Sequence, residues 1–481
     1  MAPMPEGSSS TLTPPTTAAP ALKVGFNDRV PLLQLSVMTV QNIFAVTGMF
    51  LFPAVLGTTL HLAPLTVAEL YGATFIVTGI GTVINSAFGL RLPVVLGPWA
   101  PMLSGLVSGA KVAGLGGAFG SMFTASLIWV VLSIPFPGFS VVSYLGKLFR
   151  APILYGGVVL ILMTSLTDVT VVNWLGTPGT GGFGKASWIG GGVALVVTFA
   201  ILALVRGPVR SVAMLCGIAA GVIVYACLGS VSFSRVGKSP WLFDFHLFPF
   251  GFSVSPVLVV LFFLLLMTSV SNSLALYNVT AEWSGAELGG RRMAWGILGQ
   301  SVTAVAAAVF GSFSSTTYPS NLAIVRASRV GSRWVTITTG VVMIVGGSIL
   351  KFDAIFVSIP SNVIAASAII LFGVLAMSAI ESLSRVSWDQ LNFLVLGPPF
   401  MISIGGLFIT ATTLDQFPLI VRQILSQPLL TGPVLLVLLH LVVNHVVRPR
   451  LAEASGSREE NIPVASGTPA GAQAGAPEMT T

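Results

Sequence analysis

Thr268, Ser271 and Asn272 interrupt a stretch from Gly251 to Ala281 that contains no Asp, Glu, His, Lys or Arg. Spaced i, i+3 and i+4, they share one face of a helix. A second polar run, Ser314-Ser-Thr-Thr-Tyr-Pro-Ser-Asn321, stands in an equally apolar setting. The chemistry on offer is hydrogen bonding rather than bond breaking: hydroxyls donate and accept, and the amides of Asn272 and Asn321 carry both donors and an acceptor. Such groups can read the edge of a small polar solute. In apolar helices they can equally serve to pair neighbouring helices.

Enzymatic chemistry finds no support in the residues. His61, His246, His440 and His445 have no metal-ligand spacing, and no phosphate-binding loop of the Walker type is present. Neither an enzyme, a metal nor a cofactor is expected. Cys216 and Cys227 fall in one apolar span, where a disulfide within a helix is geometrically implausible.

The elements that position these residues follow from composition. The chain has 481 residues, 54% hydrophobic and 8% charged, against roughly a quarter charged in a soluble domain. Its charges cluster between long apolar runs such as Val193 to Val205 and Val257 to Met267. A spanning helix needs about 20 mostly apolar residues. Such windows fall near 31–55, 66–89, 93–108, 115–137, 151–167, 187–205, 209–228, 253–278, 292–311, 316–330, 333–350, 353–379, 389–410 and 430–447. The expectation is an all-α membrane protein of about fourteen spans in a lipid bilayer.

The net charge of +7 could suggest nucleic acid, but Lys and Arg also mark the cytoplasmic side of membrane proteins. With these spans, sixteen of the 22 basic residues share the side of the N-terminus. The charge therefore reports topology, with both termini cytoplasmic in a multi-pass protein of the cell membrane, and no nucleic-acid partner is expected. Residues 1–22 and 453–481 are rich in Pro, Ser, Thr, Ala and Gly and read as disordered tails. Arg326, Arg329 and Arg333 read as anchors at the cytoplasmic end of a span.

Two spans are broken. Leu92 to Leu106 contains three prolines and two glycines, and Gly311 to Val325 is bracketed by Gly311 and Pro319. Each falls third in a set of seven spans, giving repeats over 30–230 and 250–447. An odd number of spans inverts the second repeat, and paired interruptions at matching positions point to a transporter site. Irregular backbone at membrane depth survives only where protein or a water-filled cavity satisfies it, so the two segments are expected to meet. Half-helices starting near Trp99 to Pro101 and near Pro319 or Ser320 would aim free N–H groups into the gap. Trp99, Ala100, Tyr318, Ser320 and Asn321 join Thr268, Ser271 and Asn272 as candidate substrate-binding residues. Trp99 offers a stacking face, with Phe44 and Phe313 as weaker candidates, although a Trp can also be packing or an interfacial anchor.

The stretch from Phe310 to Arg333, with Thr316-Thr-Tyr-Pro-Ser-Asn321 and Arg326-Ala-Ser-Arg329, resembles the nucleobase/ascorbate transporter family, which includes uracil and xanthine permeases. Gln41-Asn42 is similar to the family's Gln-His opening of the first span, and Ile359-Pro360 looks like the start of its twelfth. The resemblance covers about residues 30–447. It implies fourteen spans in two inverted repeats, with spans 1–4 and 8–11 as a core and 5–7 and 12–14 as a gate. Spans 3 and 10 would begin as short strands, with the substrate between them.

The implied function is a permease for a small planar solute, a nucleobase such as uracil or xanthine. It would work by elevator-like movement of core against gate, with a proton or sodium ion as candidate coupling partner and a homodimer as the assembly. The chain departs from the pattern in one respect: Thr268 and Ser320 stand where relatives carry acids. That leaves Asp168 as the remaining intramembrane acid to consider for a relay, although its place near a span end reads more simply as a loop or helix-end residue. It also keeps open a second reading, an anion transporter or exchanger of the same fold.

Overall fold

The computed structural model describes residues 22–135, 151–165, 167–176, 183–205, 213–228, 240–284, 288–406 and 428–451, with a few isolated positions between them. The tails expected at 1–22 and 453–481 lie outside the described residues, apart from Leu22. Helices dominate, as they must where lipid offers the backbone no hydrogen-bond partner.

The chain begins with α1 (Leu32–Ala45) and α2 (Thr47–Thr59), which meet at Val46 within one expected span. Next comes α3 (Pro64–Ala87), whose proline takes the first helical turn, where its missing N–H costs nothing. A three-residue strand, β1 (Leu96–Pro98), leads into α4 (Ala100–Ser133), which non-helical backbone at Gly114 divides into a half-helix and a full span. The first half is completed by α5 (Pro152–Ser165), α6 (Lys185–Leu204) and α7 (Ala213–Cys227).

The second half repeats the order. After α8 (Pro256–Ser284) and α9 (Gly290–Val309) comes a second short strand, β2 (Ser315–Thr317), and then a half-helix, α10 (Pro319–Ser328). They are followed by α11 (Arg333–Gly347), α12 (Leu350–Val357), α13 (Ser361–Leu383), α14 (Gln390–Gly406) and α15 (Pro428–Val442). Among the described residues, seven helices are long and apolar enough to cross a membrane, and the protein is a multi-pass membrane protein.

The span expected over 353–379 is two helices rather than one. Pro360 separates α12 from α13, because proline pushes the residue before it out of the helical region. Asp353 consequently lies on a short linking helix, where it is fully buried and neither carboxylate oxygen has a partner among the described residues.

The helices gather in two bundles. In one, α3 lies along α11 and α9, α4 lies along α8 and α9, and α1 lies on α11. In the other, α13 packs on α5 and α6, α6 on α7, and α15 on α5 and α14. The segment before α1 is stitched to the first bundle: Val24 bridges to Val330, and the Trp334 indole N–H donates to the Asn27 carbonyl at 3.2 Å.

Candidate substrate site

The approach to β2 is set by the end of α9. Gly311 takes φ 69°, a backbone that residues with a Cβ rarely adopt, and the Ser312 N–H then reaches back to the Ala307 carbonyl at 2.7 Å. The chain leaves the helix extended, which puts Ser315 to Thr317 alongside the other broken segment.

The two strands pair antiparallel, Leu96 with Thr317, Gly97 with Thr316 and Pro98 with Ser315. Two further bonds bracket them: the Trp99 N–H donates to the Ser314 carbonyl at 2.9 Å, and the Tyr318 N–H to the Val95 carbonyl at 3.0 Å. The crossing thus satisfies backbone groups that no helix could cover. Immediately beyond it, α4 begins at Ala100 and α10 at Pro319, so both half-helix N-termini stand next to the sheet. Unpaired N–H groups and the positive ends of two helix dipoles meet there. Ala100 is buried and carries no polar side chain, so its contribution is the start of α4.

Gly97 permits this closeness. A methyl group at that position would run into Val46 and lie 2.5 Å from the Tyr318 ring. Tyr318 lies against the strand and donates its hydroxyl to the Pro98 carbonyl at 3.1 Å.

The polar face of α8 grips β2. The Asn272 amide donates to Thr316 Oγ1 at 2.9 Å and to the Thr317 carbonyl at 3.1 Å. Ser273 Oγ accepts the Thr317 N–H at 3.1 Å, and Ser269 Oγ donates to the Ser315 carbonyl at 3.0 Å. Thr268 reaches the other broken segment instead, accepting the Trp99 indole N–H at 3.1 Å while donating to the Leu265 carbonyl. Trp99 is 5% exposed, so in this conformation its ring is part of the wall. Phe313 is buried edge-on against Phe52, while Phe44 is partly exposed beside Phe50.

Ser320 and Asn321 turn to the first span. Ser320 Oγ donates to the Ala45 carbonyl, and the Asn321 amide donates to both the backbone carbonyl and Oδ1 of Asn42, each bond 2.9 Å. The eight candidate residues therefore do not form one uniform rim. Thr268 and Asn272 brace the crossed strands, Tyr318 crosses between them, and Ser320 and Asn321 dock α10 on α1.

Besides Ser273, further buried polar groups beyond the eight bond to the same segments. Gln300 on α9 donates its amide to Ser269 Oγ at 2.8 Å and to the Ser315 carbonyl at 3.0 Å. Asn42 holds Asn321, and Ser269 joins α8 to Gln300 and to the Ser315 carbonyl. Gln300 could have been found as the one amide side chain of α9, and Asn42 from the Gln41-Asn42 pair. Among the described residues, Ser271 Oγ, Ser315 Oγ, Gln300 Oε1 and Asn321 Oδ1 are buried without a partner. Buried polar groups are normally satisfied, and Ser314 Oγ of the same segment is likewise without a hydrogen-bond partner among the described residues. Asp168 falls on a short helical segment after α5, and its side chain lies outside the described residues.

Short strands crossing between two half-helices, in a chain built from apolar spans, define a membrane permease rather than an enzyme. The Permease family model matches over residues 33–412, and the chain belongs to that family. It is 28% identical over 392 residues to the uric acid permease PucK of Bacillus subtilis, covering 79% of this chain and 88% of that one. It is 27% identical over 453 residues to the uracil permease of Bacillus caldolyticus, covering 90% and 96%. Among solved structures, the transmembrane domain of a cyanobacterial bicarbonate transporter, BicA, superposes with a TM-score of 0.55 at 13% identity. That match covers 86% of this chain and all of that one, and it concerns the fold alone.

Proposed function

We propose that the protein carries a planar oxo-heterocycle across the cell membrane, a nucleobase of the xanthine, uric acid or uracil type. The observation that carries this reading is the crossed pair β1 and β2, with two half-helix starts beside it and the unpaired atoms of Gln300, Ser315 and Asn321 around it. Ring carbonyls of a nucleobase suit helix N-termini, and its N–H groups suit the acceptor of an amide. The family relationship supports the same substrate class.

On this reading the chain has fourteen spans in two inverted repeats, 30–230 and 250–447, with both termini cytoplasmic and a homodimer as the assembly. The bundle of α1–α4 and α8–α11 carries the site and slides against the bundle of α5–α7 and α13–α15. Since Thr268 and Ser320 replace the acids of the family pattern, a proton coupled at this site has no carboxylate to ride on. Transport there is facilitated, or draws on an ion bound elsewhere.

The same absence of site acids favours, as a second reading, an inorganic anion held by the helix ends. Uptake into proteoliposomes separates the two. Labelled xanthine, uric acid or uracil is expected to enter and to be competed by related heterocycles, not by sulfate or bicarbonate. The opposite competition pattern would overturn the nucleobase reading.

A further inference from the structure

A cavity of about 1010 Å³ opens where α3 ends and α9 and α11 begin. Four arginines from three separate parts of the chain converge on it: Arg91 in the loop after α3, Arg291 and Arg292 in the first turn of α9, and Arg333 at the start of α11. Its described lining contains no Asp or Glu. Arg292 is held in place, with Nε donating to the Leu90 carbonyl at 2.7 Å and Nη2 to the Arg91 carbonyl at 3.1 Å. The Nε of Arg333 is buried with no partner among the described residues.

Apart from Asn27, the rest of the lining is apolar, and part of it faces outward. Phe88 is 70% exposed and Trp295 44% exposed. On α9, Trp295, Leu298 and Val302 recur at i, i+3 and i+7, so one apolar ridge leads away from the arginines along the helix. Gln300, on the other face of the same helix, belongs to the candidate substrate site.

Membrane topology requires only that basic residues stand on one side of the bilayer. It does not require four guanidinium groups from three parts of the chain to converge on one cavity beside an apolar ridge, an arrangement whose positive potential attracts an anion. Arginine's planar fork matches the oxygens of a phosphate, and a Trp beside it suits the interfacial level of a membrane.

We propose that this cavity binds the phosphate headgroup of an anionic phospholipid, with an acyl chain lying along the ridge from Trp295 to Val302. The inference rests on the permease reading only in placing these side chains at a membrane surface. It names a ligand other than the transported solute.

The test uses the full chain in a mild detergent and follows tryptophan fluorescence during titration with brominated phosphatidylglycerol or brominated phosphatidylcholine. Phosphatidylglycerol is expected to quench at a concentration at least about fivefold lower, with roughly a further fivefold lost for each arginine removed. Trp295→Phe is expected to remove most of the difference between the two lipids. The exposed pair Arg91→Gln and Arg291→Gln is expected to abolish the preference with the circular dichroism spectrum unchanged.

Equal quenching by both lipids, or a preference that survives the arginine substitutions, would overturn the proposal. So would millimolar inorganic phosphate stabilising the protein to heat as well as phosphatidylglycerol does, because the ligand would then be a free anion. If the acidic end of the chain fills the cavity instead, wild type shows no preference and Glu459→Gln with Glu460→Gln gains one, which also overturns it. No transport is needed for the readout. Lipid binding without nucleobase uptake would sink only the proposed function, and uptake without lipid preference only this inference.

Discussion

The indole N–H of Trp99 donates to Thr268 Oγ1 at 3.1 Å, across 169 residues of sequence. It ties the start of the first half-helix to the polar face of α8. Both groups are buried, so removing the acceptor leaves the indole N–H unsatisfied. Thr268→Val is expected to destabilise the protein by about 1–3 kcal/mol, read as a lowered unfolding temperature in detergent. Thr268→Ser keeps the hydroxyl and should retain most of the stability. Equal losses for Val and Ser would show that the methyl, not the bond, matters at this position.

Gln300 is expected to matter for uptake more than for folding. Its amide fastens β2 at the Ser315 carbonyl, as Asn272 does at the Thr317 carbonyl, while its Oε1 stays buried without a partner among the described residues. Gln300→Leu removes that acceptor and one anchor of Ser315, and should lower nucleobase uptake by about tenfold or more with folded protein still recovered. Uptake at the wild-type level would take Gln300 out of the site.

Gly97 marks the tightest approach of the two broken segments. A methyl there meets Val46, which is fully buried, and the Tyr318 ring. Gly97→Ala is expected to cost about 1–3 kcal/mol through overpacking and to reduce the yield of folded protein. Gly373→Ala supplies the control, since nothing stands within 4 Å of a methyl at that position in α13. Alanine there should be neutral or slightly stabilising.

A pH dependence is expected at the far end of the second bundle. In the loop before α14, Asp389 accepts the Asn392 N–H at 2.7 Å and pairs with Arg448 at 2.6 Å. The Asn392 N–H first, and then the Arg448 guanidinium, hold its carboxyl below the usual carboxylate range. A lowered folded-state pKa means that the contribution is fully present above the unfolded value of about 3.9. It is lost as pH falls through the lower folded value. The unfolding temperature of wild type should therefore drop at acidic pH by more than that of Asp389→Asn, in which the titrating group is absent. Parallel acid limbs for the two proteins would remove Asp389 as a source of the dependence.

The sequence by itself determined the solvent, and with it the secondary structure. A chain with 8% charge and apolar runs of spanning length can only be helical in lipid. It also located the two interruptions, because proline and glycine act on their own neighbours: Pro319 and Gly311 stop and start helices without help from distant residues. The candidate residues Asn272, Asn321 and Tyr318 were legible for a similar reason, as polar groups that lipid would not tolerate unpartnered.

Other features required the folded chain. The register that sets Gly97 opposite Thr316, the partner that each polar side chain chooses, and the division of the 353–379 window at Pro360 into a linker and a span were decided there. So was the joining of Gln300 and Asn42 to the network. These depend on contacts between segments more than 150 residues apart in several cases, as with Trp99 and Thr268. No local spacing encodes them, because a hydrogen bond between two helices is fixed by how both pack. The sequence showed which groups needed partners, and only the tertiary structure could supply them.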